Sequence, residues 1–168
     1  MNLQVLFQLN YGLYIVTAKE QEKFSGCVVN TVTQITAEEK PKLIVAINKQ
    51  NYTCEIAQTS QKMNISILSK SSNMLQIGKF GFQSGKNINK LEGTQYIIGK
   101  NGIPVITENV TGYIECDILE KIDCVTHILF ILEMQQGEVV SQEEPMTYEY
   151  YHKVIKGKTP PKASTYQK

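Results

Sequence analysis

Alternating apolar and polar residues dominate the chain and predict a mainly β fold. The clearest stretch is 110–119, in which Val110 and Ile114 share one face while Thr111 and Glu115 share the other. Period-two alternation of this kind places one strand face on a core and the other toward water. The pattern predicts further strands at residues 13–18, 24–30, 43–47, 64–68 and 126–136. The first two strands of that set are expected to form a hairpin, and Gly137 is expected to turn the chain after the last one.

The stretch 43–47 reads Leu-Ile-Val-Ala-Ile and is apolar on both faces. Such a run is typical of a strand that is buried on two sides. The core of a small barrel covers only one face of a strand, so the other face requires a helix or a second copy of the chain. The sequence therefore predicts a homodimer.

Two short helices are expected between the strands. Residues 52–60 follow Asn51, which predicts an N-cap, and Glu55 lies near the first turn. Residues 73–80 are expected to follow Ser71 or Ser72 in the same way and to end at Gly81. Many short strands with two or three small helices favour a β-barrel over a doubly wound α/β fold.

The 168 residues fit a single domain, and the composition changes only near the end. Residues 156–168 are rich in lysine and contain two prolines. We therefore predict a domain over residues 1–155, followed by an extended tail over 156–168. The tail is interpreted either as a plain terminus or as a linker.

Charge and composition argue against several classes of protein. The formal net charge is +1, which disfavours a dedicated nucleic-acid-binding surface. The longest apolar run, 128–132, is too short to span a bilayer, and the first ten residues lack the features of a signal peptide. We therefore expect a cytoplasmic protein that does not bind membranes. The four cysteines show no zinc-ligand spacing, so we expect free thiols and no metal, and only Cys27 is kept as a functional candidate.

Three polar segments carry the candidate chemistry. The first, residues 26–36, reads Gly-Cys-Val-Val-Asn-Thr-Val-Thr-Gln-Ile-Thr and offers uncharged donors at Asn30, Thr31, Thr33 and Gln34. Such side chains suit the edge of a flavin ring or a phosphate. A polar edge strand is the alternative, because threonine and valine favour strands.

The second and third segments lie beside the predicted helices. The second comes where a buried strand leads into a helix N-terminus, and it contains Asn48, Lys49, Asn51 and Thr53. That arrangement binds anions, although a solvated turn is the alternative. The third, residues 80–86, reads Phe-Gly-Phe-Gln-Ser-Gly-Lys, and its glycines allow a ligand to approach the backbone. A surface loop is the alternative here, and the spacing is not that of a P-loop.

His127 is a further candidate. It lies on the predicted strand 126–136, on the face opposite to Ile128, Phe130 and Leu132. A lone histidine on a strand is often a hydrogen-bonded structural residue, so both interpretations stay open. No Gly-x-Ser-x-Gly elbow and no dinucleotide-binding fingerprint is present in the sequence.

The order and spacing of these segments resemble the flavin reductase-like family with an FMN-binding split barrel. The resemblance covers residues 9–155 and includes Tyr-Gly-Leu-Tyr at 11–14, Pro-Met-Thr-Tyr at 145–148 and Tyr-Tyr-His-Lys at 150–153. It is strongest with the branch of flavoredoxins and the flavin domain of high-molecular-weight rubredoxins. In those rubredoxins an iron-binding Cys₄ module follows the flavin domain. This sequence has no such cysteines, so we expect no rubredoxin acceptor within the chain.

The resemblance implies a role for each segment. The residues expected to line the isoalloxazine ring and the ribityl chain are Asn30, Thr31, Val32, Thr33 and Gln34. Those expected near the phosphate are Asn48, Lys49, Asn51 and Thr53. Those expected to close over the ribityl-phosphate side are Phe82, Gln83, Ser84 and Gly85. His127 is expected near the flavin and its electron donor, as the one candidate catalytic side chain.

The resemblance also implies the chemistry. NADH or NADPH would reduce bound FMN, which would pass electrons to free flavin, ferric iron or a redox partner protein of rubredoxin-like or flavodiiron type. The alternative is a flavoredoxin-like FMN carrier that does not oxidise NAD(P)H itself. Homodimers are also typical of the family.

Overall fold

The computed structural model describes residues 1–165 and consists of one large antiparallel sheet with three short helices. Seven strands form the sheet in the order β2-β1-β5-β8-β9-β4-β3. Their bounds are β1 Tyr14–Glu20, β2 Lys23–Val29, β3 Val32–Gln34, β4 Lys42–Asn48, β5 Lys62–Leu68, β8 Val110–Cys124 and β9 His127–Val139. A separate hairpin pairs β6, Tyr96–Ile98, with β7, Pro104–Ile106. The mainly β prediction is confirmed, and all five predicted strands besides 110–119 are present with bounds shifted by a few residues.

The two longest strands differ from their predicted form. β8 extends to Cys124 and pairs along most of its length with β9. β9 runs through Gly137 to Val139, so the predicted turn at Gly137 is wrong. Gly137 instead lies at a close approach between strands, because a Cβ there would be 3.0 Å from the carbonyl oxygen of Tyr113. A glycine inside a strand marks such an approach as readily as a turn.

Three α-helices join and flank the strands: α1 Tyr52–Thr59, α2 Met74–Gly81 and α3 Tyr148–Lys153. Asn51 is the N-cap of α1, as predicted, and its side chain accepts from the backbone N–H of Thr53. The N-cap of α2 is Asn73 and not one of the two preceding serines. Ser72 is buried and its hydroxyl donates to the carbonyl of Asn109, which leaves Asn73 to accept from Gln76.

The core has two parts on opposite sides of the sheet. The inner part fills the barrel between β2 and β4 and includes Val29, Val45, Ile65 and Phe130. The outer part lies under α2 and α3 and includes Ile15, Ile77, Phe80 and Tyr151. The same strands therefore carry one cluster on each face, and α2 and α3 seal the outer one.

Strand β4 is only partly covered by the chain itself. Leu43, Val45 and Ile47 are buried in the inner core, whereas Ile44 and Ala46 on the opposite face are half-buried. Ile44 pairs with Ile131 and Ala46 pairs with Leu129, so the outward apolar face continues onto β9. The described chain thus provides full burial for one face of β4 and not for the other.

Candidate functional site

The predicted polar segments meet around one pocket beside the ends of β2 and β4. Its floor is apolar and is formed by Leu13, Val28, Ile47 and Ile77, while amide side chains line the rim. Pro160 and residues 162–164, from the C-terminal part of the chain, complete the wall. The polar and charged lining residues are Asn30, Asn48, Asn51, Tyr148, Tyr151, Lys162 and Ser164, with no carboxylate among them.

Asn30 and Thr31 face the C-terminal segment across the pocket. Asn30 is almost fully buried, and its Nδ2 donates to the hydroxyl of Thr165 at 2.6 Å. Ser164 donates to Asn30 Oδ1 at 2.9 Å, and the hydroxyls of Thr31 and Ser164 are 2.6 Å apart. The most polar part of the first segment is therefore hydrogen-bonded to residues 164 and 165.

The rest of the first segment points elsewhere. Val32 packs against the inner core, and Thr33 lies on the outward face opposite Ile44. Gln34 is exposed, and its Nε2 donates to the carbonyl of Thr36 at 2.7 Å. Asn30 thus lines the pocket and Thr31 bonds Ser164 in its wall, whereas Thr33 and Gln34 lie along the outer edge strand β3.

The second segment forms the N-terminus of α1. Asn48 accepts from the backbone N–H of Gln50, and Asn51 accepts from that of Thr53. The hydroxyl of Thr53 is fully buried and lies 2.8 Å from that of Ser25 on β2. These bonds fix the first turn of α1 against β2, and the N-terminal end of a helix favours negative charge.

Lys49 turns away from this helix N-terminus. Its Nζ lies 2.6 Å from both carboxylate oxygens of Asp123, near the tip of the β8–β9 hairpin. This ion pair holds the pKa of Asp123 below its usual value, with a backbone N–H from Val125 as a smaller cause. The positive charge of Lys49 is therefore already partnered in this arrangement.

The third segment reaches α1 through Gly85. A Cβ at Gly85 would lie 2.8 Å from the hydroxyl oxygen of Ser25 and 3.2 Å from the ring of Tyr52. Lys86 follows, with its Nζ 5.1 Å from the centre of the Tyr52 ring and 2.6 Å from a carboxylate oxygen of Glu55. The backbone at Gly85 thus packs directly on the first turn of α1.

The other members of the third segment are less close to α1. Ser84 is half-buried, and its hydroxyl accepts from the backbone N–H of Lys86 at 3.3 Å. Phe82 and Gln83 are exposed at the C-terminal end of α2. Phe80 belongs to the outer core and is buried under α2.

His127 lies at the start of β9, opposite Asn48 on β4. Its Nδ1 is 2.9 Å from the hydroxyl of Thr126, whereas Nε2 is buried and makes no hydrogen bond to a described residue. Burial lowers the pKa of His127, and the backbone of Lys162 acts in the opposite direction. A hydroxyl donor at Nδ1 would leave the proton on Nε2, and the described neighbours of the ring include the backbone of Lys162.

Comparison with known proteins identifies the family to which this chain belongs. Residues 6–158 match the family model described as flavin reductase like domain. The chain belongs to the flavin reductase-like family. The predicted family, the oxidoreductase class and the mainly β split-barrel fold are confirmed.

Two relatives and one solved structure show how far the likeness extends. A high molecular weight rubredoxin of Moorella thermoacetica is 42% identical over 99% of this chain and 72% of its own length. A ferric-chelate reductase (NAD(P)H) of Archaeoglobus fulgidus is 36% identical over 99% of this chain and 98% of its own. The crystal structure of a flavoredoxin from Methanosarcina acetivorans is 21% identical, covers 86% of this chain and 78% of its own, and aligns with a TM-score of 0.72.

The residues at the pocket fit the flavin that this family implies. The floor is apolar, as a flat aromatic ring requires, and the rim offers neutral amide and hydroxyl groups for a ring edge. Nε2 of His127 is a buried polar atom that lacks a partner among residues 1–165. Gly85 keeps the backbone against Ser25 and Tyr52 where any Cβ would intrude. The absence of carboxylates from the lining suits an anionic ligand.

Several residues of this flavin reductase-like domain escaped the sequence prediction. Ser25 and Lys162 lie at the site but belong to none of the three predicted segments. Lys90 is buried, and its Nζ donates to the carbonyls of Gly26 and Phe80, so it ties the loop after α2 to β2. Burial lowers the pKa of Lys90 to about 8. A lysine in the loop after α2 is no signal by itself, because exposed lysines are common in the chain.

The cysteines take no part in the site. All four are free, and Cys27 is buried in the inner core, where burial raises the pKa of its thiol to about 11. A thiol protonated to that extent is unreactive at neutral pH. Within residues 1–165, no group of His, Cys, Asp and Glu side chains is arranged to hold a metal. The helices of the same region are too short or too polar to cross a membrane.

Proposed function

We propose that the chain binds FMN in this pocket and works as an NAD(P)H-dependent reductase that passes electrons to free flavin, ferric iron or a redox partner protein. The observation that carries the proposal is the convergence of Asn30, Asn48 and the α1 N-cap Asn51 around one pocket with an apolar floor. The backbone at Gly85 packs on the first turn of the same helix. The name of the Archaeoglobus relative, ferric-chelate reductase (NAD(P)H), supports the choice of donor and acceptor.

Each side of the pocket has a proposed partner on FMN. Asn30 and Thr31 would bond the polar edge of the ring, with Val32, Thr33 and Gln34 shaping the strand beside it. The phosphate would lie between the α1 N-terminus, at Asn51 and Thr53, and the backbone of Ser84 and Gly85, because helix N-terminal N–H groups favour an anion. Asn48 fixes the turn that leads into α1, and Phe82 and Gln83 border the opening after α2.

A bound flavin would supply the redox chemistry, namely uptake of a hydride from the nicotinamide and transfer of electrons to the acceptor. The apolar floor would hold the ring, and the N-terminus of α1 would hold the phosphate. His127 would donate a hydrogen bond from Nε2 near the flavin, as a neutral side chain, since burial lowers its pKa. No general base is needed for hydride transfer, and none is assigned.

We expect the two lysines near α1 to differ in their effect on phosphate binding. Lys86 lies over Tyr52, the first residue of α1, and pairs with one oxygen of Glu55 in the same first turn, whereas Lys49 is held by both oxygens of Asp123. Lys86→Met should weaken FMN binding about three- to tenfold and leave riboflavin binding almost unchanged, because riboflavin lacks the phosphate. Lys49→Met should show the same selectivity to a smaller extent.

Parallel titrations of both variants with FMN and riboflavin measure this difference. Equal losses for the two ligands would show that neither ammonium faces the phosphate. A larger selective loss for Lys49→Met would assign the phosphate to the Asp123 side of the turn.

A second function, an FMN electron carrier without its own NAD(P)H oxidation, is favoured by the likeness to a protein named rubredoxin. The partner would then be a rubredoxin-like or flavodiiron-type protein. Anaerobic mixing of the FMN-loaded protein with NADH or NADPH separates the two functions. Rapid loss of the oxidised-flavin absorbance supports the reductase. A stable absorbance that is lost only when a reduced partner protein is added supports the carrier.

We further propose that the chain works as a homodimer. The outward face formed by Ile44, Ala46, Leu129 and Ile131 is apolar and only half-buried by the chain itself. Pairing that face with a second copy would complete the burial of β4. Light scattering at dilute concentration should report twice the chain mass of 19.0 kDa. A result equal to the chain mass would contradict the dimer.

We also propose a reducing, cytoplasmic location, which the four free thiols support.

A further inference from the structure

Residues 157–165, which we name the strap, fold back over the pocket. The base of the strap is fixed on α3: Gly157 lies flat on the ring of Tyr151, where a Cβ would be 2.0 Å from Cζ. Tyr151 donates its hydroxyl to the carbonyl of Lys158 at 3.0 Å, and Nδ1 of His152 is 2.9 Å from the carbonyl oxygen of Gly157. The strap therefore leaves α3 in a defined direction.

Two prolines carry the strap from its base to the pocket. Pro160 packs near Gly81 at the end of α2, and Pro160 and Pro161 together restrict the chain to an extended form. The hydroxyl of Tyr148 bonds the side chains of Thr159 and Thr165, one on each side of the prolines. The middle of the strap is thus a short, stiff arm.

The tip of the strap occupies polar groups that the proposed function assigns to the flavin. Ser164 and Thr165 take up both the acceptor and the donor of the Asn30 amide, and Ser164 also meets Thr31. Lys162 donates to the carbonyl of Gln50 at 2.8 Å, directly before the N-cap of α1. These bonds take one donor and one acceptor position of the Asn30 amide, so the edge of a ring must compete with the strap for them.

We propose that the strap is an autoinhibitory lid, which must leave Asn30 and Thr31 before a flavin can bond to them. This inference rests on the proposed function. The strap residues themselves are exposed or half-buried. The net strength of their few hydrogen bonds is small after the cost of ordering the segment. Ligand binding therefore displaces the strap readily, and the strap sets the apparent affinity and the rate of entry.

Removal of the tip contacts should tighten FMN binding. If the strap is closed in about nine-tenths of the molecules, only the remaining open fraction binds FMN. A variant whose strap cannot close should therefore have an apparent Kd about tenfold lower. We expect this result for Ser164→Ala/Thr165→Val and for a chain ending at Lys158. The association rate, followed by quenching of FMN fluorescence in stopped flow, should rise by a similar factor.

A matched pair of lysine variants controls for charge. Lys162→Gln and Lys158→Gln each remove one positive charge from the strap, but only Lys162 reaches the barrel with its side chain. Lys162→Gln should accelerate FMN association, and Lys158→Gln should leave it unchanged. Equal effects of both would show that charge and not the strap contact is responsible, which would overturn the proposal.

Hydrogen exchange of the full chain separates this proposal from the proposed function. Amides at 162–165 should exchange faster once FMN is added. If FMN binds equally well with and without the strap, the strap does not control binding. If exchange at 162–165 slows on binding, the strap closes over the flavin. Either result overturns the inhibitory role while the proposed function stands. If neither form binds FMN, the proposed function fails and the inhibitory role fails with it.

Discussion

Gly85→Ala should weaken FMN binding by at least about tenfold, or about 1.4 kcal/mol. The new methyl group would lie 2.8 Å from the hydroxyl oxygen of Ser25 and 3.2 Å from Cδ1 of Tyr52. Ser25 is buried and bonded to Thr53, so it has little room to move. The backbone at Gly85 must then retreat from the α1 N-terminus, and the phosphate site opens.

Gly78→Ala is the matched control for this prediction. Gly78 lies in α2 and a Cβ there meets nothing within 4 Å, so the added methyl group costs nothing in packing. Isothermal titration of both variants with FMN, together with thermal unfolding, provides the comparison. An affinity for Gly85→Ala equal to that of Gly78→Ala would place the phosphate away from the Gly85 backbone.

His127→Asn should retain FMN and change the rate of flavin reduction about tenfold, equivalent to about 1.4 kcal/mol of barrier. The reason is its buried Nε2, which has no partner among the described residues and lies beside the pocket. Its loss would remove a hydrogen bond to the flavin while hydride transfer continues. Stopped-flow reduction by NADH or NADPH measures this effect. An unchanged rate together with a clearly lowered melting temperature would make His127 a structural residue.

The pH dependence of stability gives His127 a second signature. Burial lowers its pKa in the folded protein below the ordinary value of 6.5. Between the two pKa values the unfolded chain binds more protons than the folded one, so stability falls as the pH drops below about 6.5. His127→Asn should remove this part of the acid-side loss. Urea unfolding midpoints at pH 7.5 and 5.5, chosen as about one unit either side of the free histidine pKa, measure the change.

The sequence predicted the strands well because period-two alternation reflects burial directly. His127, for example, was placed on the face opposite to Ile128 and Phe130, and those two residues are buried while His127 is half-buried. The N-cap at Asn51 can also be predicted from the sequence, because a cap depends on neighbouring residues. The N-cap of α2 cannot, because Ser72 bonds to Asn109, which is distant in the sequence.

The strap shows where a sequence pattern misleads. Lysine and proline in residues 157–165 are typical of an exposed tail, and most of these side chains are indeed exposed or half-buried. Its position over Asn30 depends on a glycine that lies against one tyrosine ring and on hydroxyls that meet distant residues. Similarly, Lys49 was the obvious cation near α1, but its partner Asp123 follows from the register of β8 and β9.

Equilibrium titration of the purified, flavin-free protein with FMN tests the central claim most directly. The pocket predicts a yellow protein that binds one FMN per chain at micromolar or lower concentration, with riboflavin binding more weakly because it lacks the phosphate. A protein that stays colourless and shows no FMN binding at micromolar concentration would contradict the assignment of this pocket to the flavin.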